Sequence, residues 1–238
     1  MQSPPASGTG DRPGAAVPRN LPLFAGVDDR VFSRLDAISE LREYGPGVRI
    51  FTQDDVNPPF VAIVSGQIST FRTAPGGTVT VIDVLRAPEH AGLSAILTQL
   101  PQLMGAETVT PSLLLLVDAA GLRALLPEEP SLAGALLRAE AMAFQSLVMQ
   151  VCDLKLRTTA QRLGHYLLEL APDKTGKSSA MRLPFDKRLL AARLGCRQEN
   201  LSRAFATLRE LGVETSGARV ILNDLPRLRD YSVAPEPI

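Results

Sequence analysis

Apolar positions recur with a helical period over residues 21–44 (LPLFAGVDDRVFSRLDAISELREY), where Leu23, Phe24, Val27, Val31, Phe32, Leu35 and Ile38 fall on one face. The spacing predicts a short helical lead-in. The pattern then changes to β-branched or aromatic runs, VRIFTQ, PPFVAIVSG, QISTFRT and TVTVIDVL, separated by Gly, Pro, Asn or Asp. Pro75-Gly76-Gly77 marks a hairpin turn between two of them. LLLLVDAAGLRALL reads as a buried strand entering a helix. Residues 45–118 are therefore expected to form a small antiparallel β domain, a roll or barrel.

Helical spacing returns from Ser131 to Leu156, a stretch with no Pro and one Gly, in which Leu136, Ala139, Ala143, Leu147, Val151 and Leu154 lie three or four apart. At about 1.5 Å per residue this helix makes roughly seven turns. Such a stripe can pack on the neighbouring β domain, but a helix this long projects beyond one. It is therefore expected to meet its own copy across a two-fold axis, with Ala139 and Ala143 allowing close approach. A second helical segment, TTAQRLGHYLLELAP, ends at Pro172, and DKTGKSSAM after it reads as a polar loop. The expected organisation is α+β: a disordered tail at 1–20, a β domain at 21–130, a dimerisation helix at 131–156 and a C-terminal domain at 157–238, with a hinge near Lys155 to Thr158.

Composition narrows the classes. The first twenty residues are rich in Pro, Gly and Ala and hold no apolar core of the kind a secretory signal requires. No uninterrupted apolar run approaches the roughly 18 residues of a membrane span, so a soluble protein without a membrane partner is expected. Cys152 and Cys196 are the two cysteines, with no CxxC, which suits a reducing cytoplasm. No nucleophile elbow, metal-spaced His/Cys cluster or phosphate loop is present, so an enzyme is not expected. The formal net charge is zero but unevenly placed: residues 1–154 carry 10 Lys/Arg against 16 Asp/Glu, and residues 155–238 carry 15 against 9. A local positive field of that kind suits a phosphate-bearing partner, since cationic contacts release condensed counterions.

The positive region contains FDKRLLAARLGCRQENLSRAFATLRELGV, residues 185–213. Asp186 is a candidate N-cap for a helix carrying Leu189, Leu190, Ala191 and Leu194, and Gly195 supplies the positive φ of a tight turn between crossing helices. A second helix is expected to start near Gln198 and bury Leu201, Ala204, Phe205 and Leu208. Arg197, Gln198, Glu199, Ser202 and Arg203 then occupy its first turns, where a recognition helix presents side chains to base edges. VETSGARVILND reads as two strands around Ser216-Gly217, a wing from which Arg219 reaches a phosphate. These features place a helix-turn-helix at 187–211 and double-stranded DNA as the partner.

A β domain, a long helix and a winged helix-turn-helix in this order resemble the CRP/FNR family of bacterial transcription regulators, over about Leu21 to Tyr231. The resemblance implies a cyclic-nucleotide-binding-like β roll, a homodimer, and RNA polymerase as a protein partner in activation. Glu199, Ser202 and Arg203 are similar to the E-x-x-S-R pattern of the FNR branch; the catabolite-activator branch has Arg and Gly where this chain has Gln198 and Ser202. An FNR-type palindrome with half-sites near TTGAT is thereby implied. The chemistry agrees, since Arg203 can bond guanine O6 and N7, Glu199 can accept from cytosine N4, and Ser202 can touch a thymine or a phosphate.

Cyclic-nucleotide sites in the family resemble G-E-L followed by R-S or R-T, and alignment places Gly92 and Met104-Gly105 at the Glu and the Arg-Ser pair. Without those charges an anionic nucleotide loses its charge-assisted contacts, so cyclic AMP is not expected. An iron-sulfur cluster is not expected either, because no cysteine precedes Cys152. His90 is similar in position to the haem-ligating His of the family's carbon monoxide sensor, which makes a haem-based nitric oxide or redox sensor one reading and an exposed loop His the other. His165 and Cys152 read as structural, and Cys196 as the more exposed thiol. Two further readings stay open, an effector-independent regulator and a ligand-sensor module whose winged helix binds a protein.

Overall fold

The computed structural model describes residues 16–183 and 186–233; residues 1–15 of the expected tail and the last five residues lie outside the described ones. The chain forms two compact units, divided between Phe144 and Gln145.

In the first unit, α1 (Asp29–Ala37) leads into strands β1 (Ser39–Tyr44), β2 (Arg49–Phe51), β3 (Phe60–Ser65), β4 (Gln67–Thr73), β5 (Val79–Arg86) and β6 (His90–Ala91). After the short α2 (Leu93–Thr98) come β7 (Gly105–Thr108), β8 (Ser112–Val117) and α3 (Ala119–Leu125). The strands form two four-stranded antiparallel sheets, ordered β1-β8-β3-β6 and β2-β7-β4-β5. This is the expected roll. Alternation explains the continuous apolar run of β3. Phe60 and Ala62 join a core with Leu115, Leu122 and Leu132, while Val61 and Ile63 face a second core with Phe51, Ile68 and Leu114.

Two departures from the sequence reading occur at the start. Residues 39–44, expected as helix, are a strand, because every residue of SELREY pairs with the leucine-rich β8. Pairing and burial override the helix preference of Glu, Leu and Arg, and Glu40 and Arg42, two apart on one face, hydrogen-bond each other at 2.6 Å. Val17, assigned to the tail, is 2% exposed in the first core, and its N–H donates to Asp36 Oδ1.

Helix α4 (Pro130–Leu156) serves both units. Its first turns bury Leu132, Ala135 and Leu136 in the roll's helix-covered core, with Ala139 packed at the edge. Leu136, expected at a dimer interface, is 2% exposed within its own chain. Beyond Glu140 the apolar side chains have no such cover: Ala143, Phe144, Leu147, Val148, Val151 and Leu154 are exposed, as is Leu137 before them. The uncovered stripe thus overlaps the expected one at Ala143, Leu147, Val151 and Leu154, and adds Leu137, Phe144 and Val148 at heptad-like spacing.

The second unit contains α5 (Thr159–Leu170), β9 (Ser179–Arg182), α6 (Lys187–Arg193), α7 (Gln198–Arg209), β10 (Val213–Ser216), β11 (Arg219–Leu222) and α8 (Leu225–Ser232). A capping box opens α5: Gln161 N–H donates to Thr158 Oγ1, and Thr158 N–H donates to Gln161 Oε1. Leu163, Leu167, Leu190, Leu201, Leu208, Val220 and Leu228 form one core. Ser179–Arg182, which begins inside the expected polar loop and ends one residue past it, is the third strand of a sheet ordered β10-β11-β9.

Candidate nucleic-acid interface

Local chemistry sets the geometry between α6 and α7. Asp186 caps α6, its Oδ1 accepting from Leu189 N–H at 2.9 Å. At the other end Gly195 has φ +61°, and Gly195 and Cys196 donate their N–H groups to Ala192 and Ala191 carbonyls, each at 2.9 Å. A Cβ on Gly195 would stand 2.5 Å from Leu154 Cδ2. Glycine is required there both for the left-handed backbone and for the close approach of α4. Arg162 reinforces the same junction, Nε donating to Leu194 O at 3.0 Å and Nη1 to Arg157 O at 2.7 Å. The turn is thereby tied to the chain just past α4, a role for Arg162 that no sequence spacing reveals.

Helix α7 has one face in the core, Leu201, Ala204, Phe205 and Leu208, as its spacing predicts. Gln198, Glu199, Ser202 and Arg203 lie exposed on the other face, and exposed Arg197 is its N-cap residue. Arg197 supplies no side-chain acceptor, so first-turn N–H groups stay open to an anion. Ser202 Oγ donates to Gln198 O at 3.1 Å. Glu199 and Arg203, at the i,i+4 spacing that favours an ion pair, make none, and neither has a side-chain partner among the described residues. A carboxylate and a guanidinium thus sit about one helical turn apart on the outer face, both free to bond outward.

The wing is β10, the tight turn at Gly217 (φ +60°) and β11, with Arg219 exposed at the first position of β11. Arg182 on β9 and Lys187 and Arg188 on α6 are also exposed cations, and Lys187 Nζ sits 5.6 Å over the Phe205 ring. Arg182 follows the expected loop 173–181 directly, and SAMR shows no alternation of polar and apolar residues that would mark it as a strand; pairing with β11 is what brings Arg182 to this surface.

The remaining candidates lie in different surroundings. His90 is on β6 beside Ala62 of β3, with its ring 5.8 Å from that of Phe60 and Nε2 3.8 Å from Glu140 Oε1 of α4. Its side chain is 11% exposed, so it is not the exposed loop His. Gly92 has φ +88°, and a Cβ there would stand 2.5 Å from Pro59 O. Met104 is half-buried, and no Lys or Arg occurs between Arg86 and Arg123. Both cysteines are half-buried; burial pushes the Cys196 thiol above its ordinary pKa, with the Arg162 charge opposing, so it is not the exposed thiol expected.

A β roll joined through a long helix to a winged helix-turn-helix defines a DNA-binding transcription regulator. A profile described as a Crp-like helix-turn-helix domain matches residues 161–231, and one described as a cyclic nucleotide-binding domain matches residues 41–129. A solved structure from Ruegeria pomeroyi, a candidate cyclic nucleotide binding protein, is 31% identical over 90% of this chain and 94% of its own, with a TM-score of 0.64. The CRP-like cAMP-activated global transcriptional regulator of Mycobacterium tuberculosis is 23% identical over 87% of this chain and 94% of its own. FixK2 from Bradyrhizobium japonicum shares the fold, with a TM-score of 0.69 at 20% identity, covering 83% of this chain and 99% of its own. The chain belongs to the CRP/FNR family of transcription regulators.

Proposed function

We propose that this regulator is a cytoplasmic homodimer that reads an inverted repeat with half-sites near TTGAT, acts with RNA polymerase, and does so without cyclic AMP. The observation that carries the reading is the free Glu199 and Arg203 pair on the outer face of α7. Arg203 bonds guanine O6 and N7 bidentately, and Glu199 accepts from a cytosine N4 amino group. A two-fold dimer sets two such helices about one turn of DNA apart, roughly 34 Å, and so selects a palindrome.

The uncovered stripe of α4 supports the dimer. By length and composition α4 would also suit a membrane span. Between Glu140 and Asp153, however, only twelve residues are free of charge, about 18 Å of helix against a hydrocarbon core of about 30 Å. A second copy of the same stripe covers that length without burying either carboxylate.

Independence from cyclic AMP is supported at Gly92. A glutamate there would meet the Pro59 carbonyl and adopt a strained φ, so the position has no room for the acid the family's nucleotide site uses. At His90, Nε2 lies 3.8 Å from Glu140 Oε1 and the ring lies beside Phe60, surroundings that support a structural histidine over a haem ligand. The effector therefore carries no assignment.

Selection of bound duplexes from a randomised pool tests the reading. Enrichment of an inverted repeat with a G·C pair at the third position of each half-site is expected, unchanged by cyclic AMP. Recovery of no preferred sequence would leave the winged helix as a protein-binding module.

A further inference from the structure

The outer face of the wing sheet carries an arrangement that the reading of α7 does not use. Arg182 of β9 and Arg219 of β11 are directly opposite one another in the antiparallel register, and Ser216 of β10 is opposite Arg219 on its other side. Cross-strand partners share a face, so the three side chains form one row across the sheet. Val220 and Met181, the next pair, turn inward, Val220 into the core and Met181 against it.

Like charges placed directly opposite destabilise a sheet unless something neutralises them. Here both arginines are exposed, and among the described residues neither has a carboxylate partner. Glu214, the acidic residue on the same face, is occupied by Asn223 Nδ2 at 2.8 Å. Arg182, Arg219 and Ser216 line an open groove of about 450 Å³ together with Ala180, Met181 and Ala218, small or apolar residues that leave the guanidinium groups as its charged walls. Two guanidinium forks and a hydroxyl lining one groove offer the donors that the oxygens of a phosphodiester accept from.

The geometry points to a phosphate site on the wing in which Arg182 and Arg219 together hold one phosphodiester of the DNA backbone, with Ser216 as an additional donor. The inference rests on the DNA-binding reading and extends it to a residue outside the helix-turn-helix and the wing hairpin. Its contribution is to position, because a backbone contact carries no base information. Arg182 anchors the sheet on the duplex while α7 reads the groove.

The test is binding of wild type, Arg182→Ala, Arg219→Ala and the double variant to a selected palindrome and to a copy changed at its G·C pairs, over a range of salt concentrations. Each single variant is expected to lose about tenfold for both DNAs alike, as for one charge-assisted contact. The double variant should lose less than the product of the two, with a salt slope lower by about one unit. All three should melt at or above the wild-type temperature, since removing a facing cation relieves repulsion. Wild-type affinity and slope in Arg182→Ala, a loss confined to the matched DNA, a multiplicative double variant, or a lowered melting temperature would each overturn the shared site. If the wild-type protein binds no DNA, it is instead the DNA-binding reading that fails.

Discussion

Truncating Leu136 and Leu147 in turn separates two roles that spacing along α4 had merged. Leu136 is 2% exposed and belongs to the roll's core, so Leu136→Ala removes buried methyl groups and leaves a cavity. A cost of about 3 kcal/mol follows, which lowers the melting temperature of a unit this size by roughly 10 to 15 °C. Leu147 is 55% exposed in the protomer, so about half of its transfer free energy remains to be gained on association. Three carbon atoms at about 0.8 kcal/mol each, scaled by that exposure, give about 1.3 kcal/mol per copy, or about 2.6 kcal/mol for a symmetric pair. Leu147→Ala should therefore raise the dimer dissociation constant roughly eightyfold while leaving the melting of the first unit unchanged. Sedimentation equilibrium gives the association constants, and calorimetric unfolding at a protein concentration that saturates the dimer gives the stabilities. The opposite pattern, a dissociated but fully stable Leu136→Ala and an intact Leu147→Ala dimer, would refute the division of α4.

Three other outcomes follow from the site geometry. Arg203→Ala should cost about 1 to 3 kcal/mol on the selected palindrome and relax preference at the guanine, so that matched and altered DNAs bind alike; an equal loss on both DNAs would mark it as a phosphate contact. Gly92→Glu should lower the melting temperature, because the new side chain meets Pro59 O at a positive φ, and titration calorimetry should still show no cyclic AMP binding; a nucleotide response gained by that variant would contradict the reading of α2 and its N-cap. The Cys196 thiol, held protonated by burial, should alkylate at neutral pH more slowly than a free cysteine peptide, measured by mass after timed reaction with a maleimide; a rate equal to the peptide's would show the turn to be open.

Much of the interface was legible in the residues themselves. The buried face of α7, the positive φ at Gly195 and the cap at Asp186 are consequences of local spacing and backbone chemistry, which act within a few residues and so can be read in order along the chain. The outward placement of Glu199 and Arg203 follows from that same period. Strands β3, β4, β10 and β11 were visible for the same reason.

Other features depended on which distant surface each segment met. SELREY is a strand because β8 pairs with it, and Ser179–Arg182 is a strand because β11 does. Along α4 one helical spacing runs from Leu136 to Leu154, yet the roll covers its first turns, the turn at Gly195 lies against Leu154, and Ala143, Leu147 and Val151 between them are exposed. Periodicity states which side chains can share a face; which neighbour covers that face is settled by contacts far apart in the chain. Arg182 and Arg219 are 37 positions apart, and only the register of three strands sets them opposite each other.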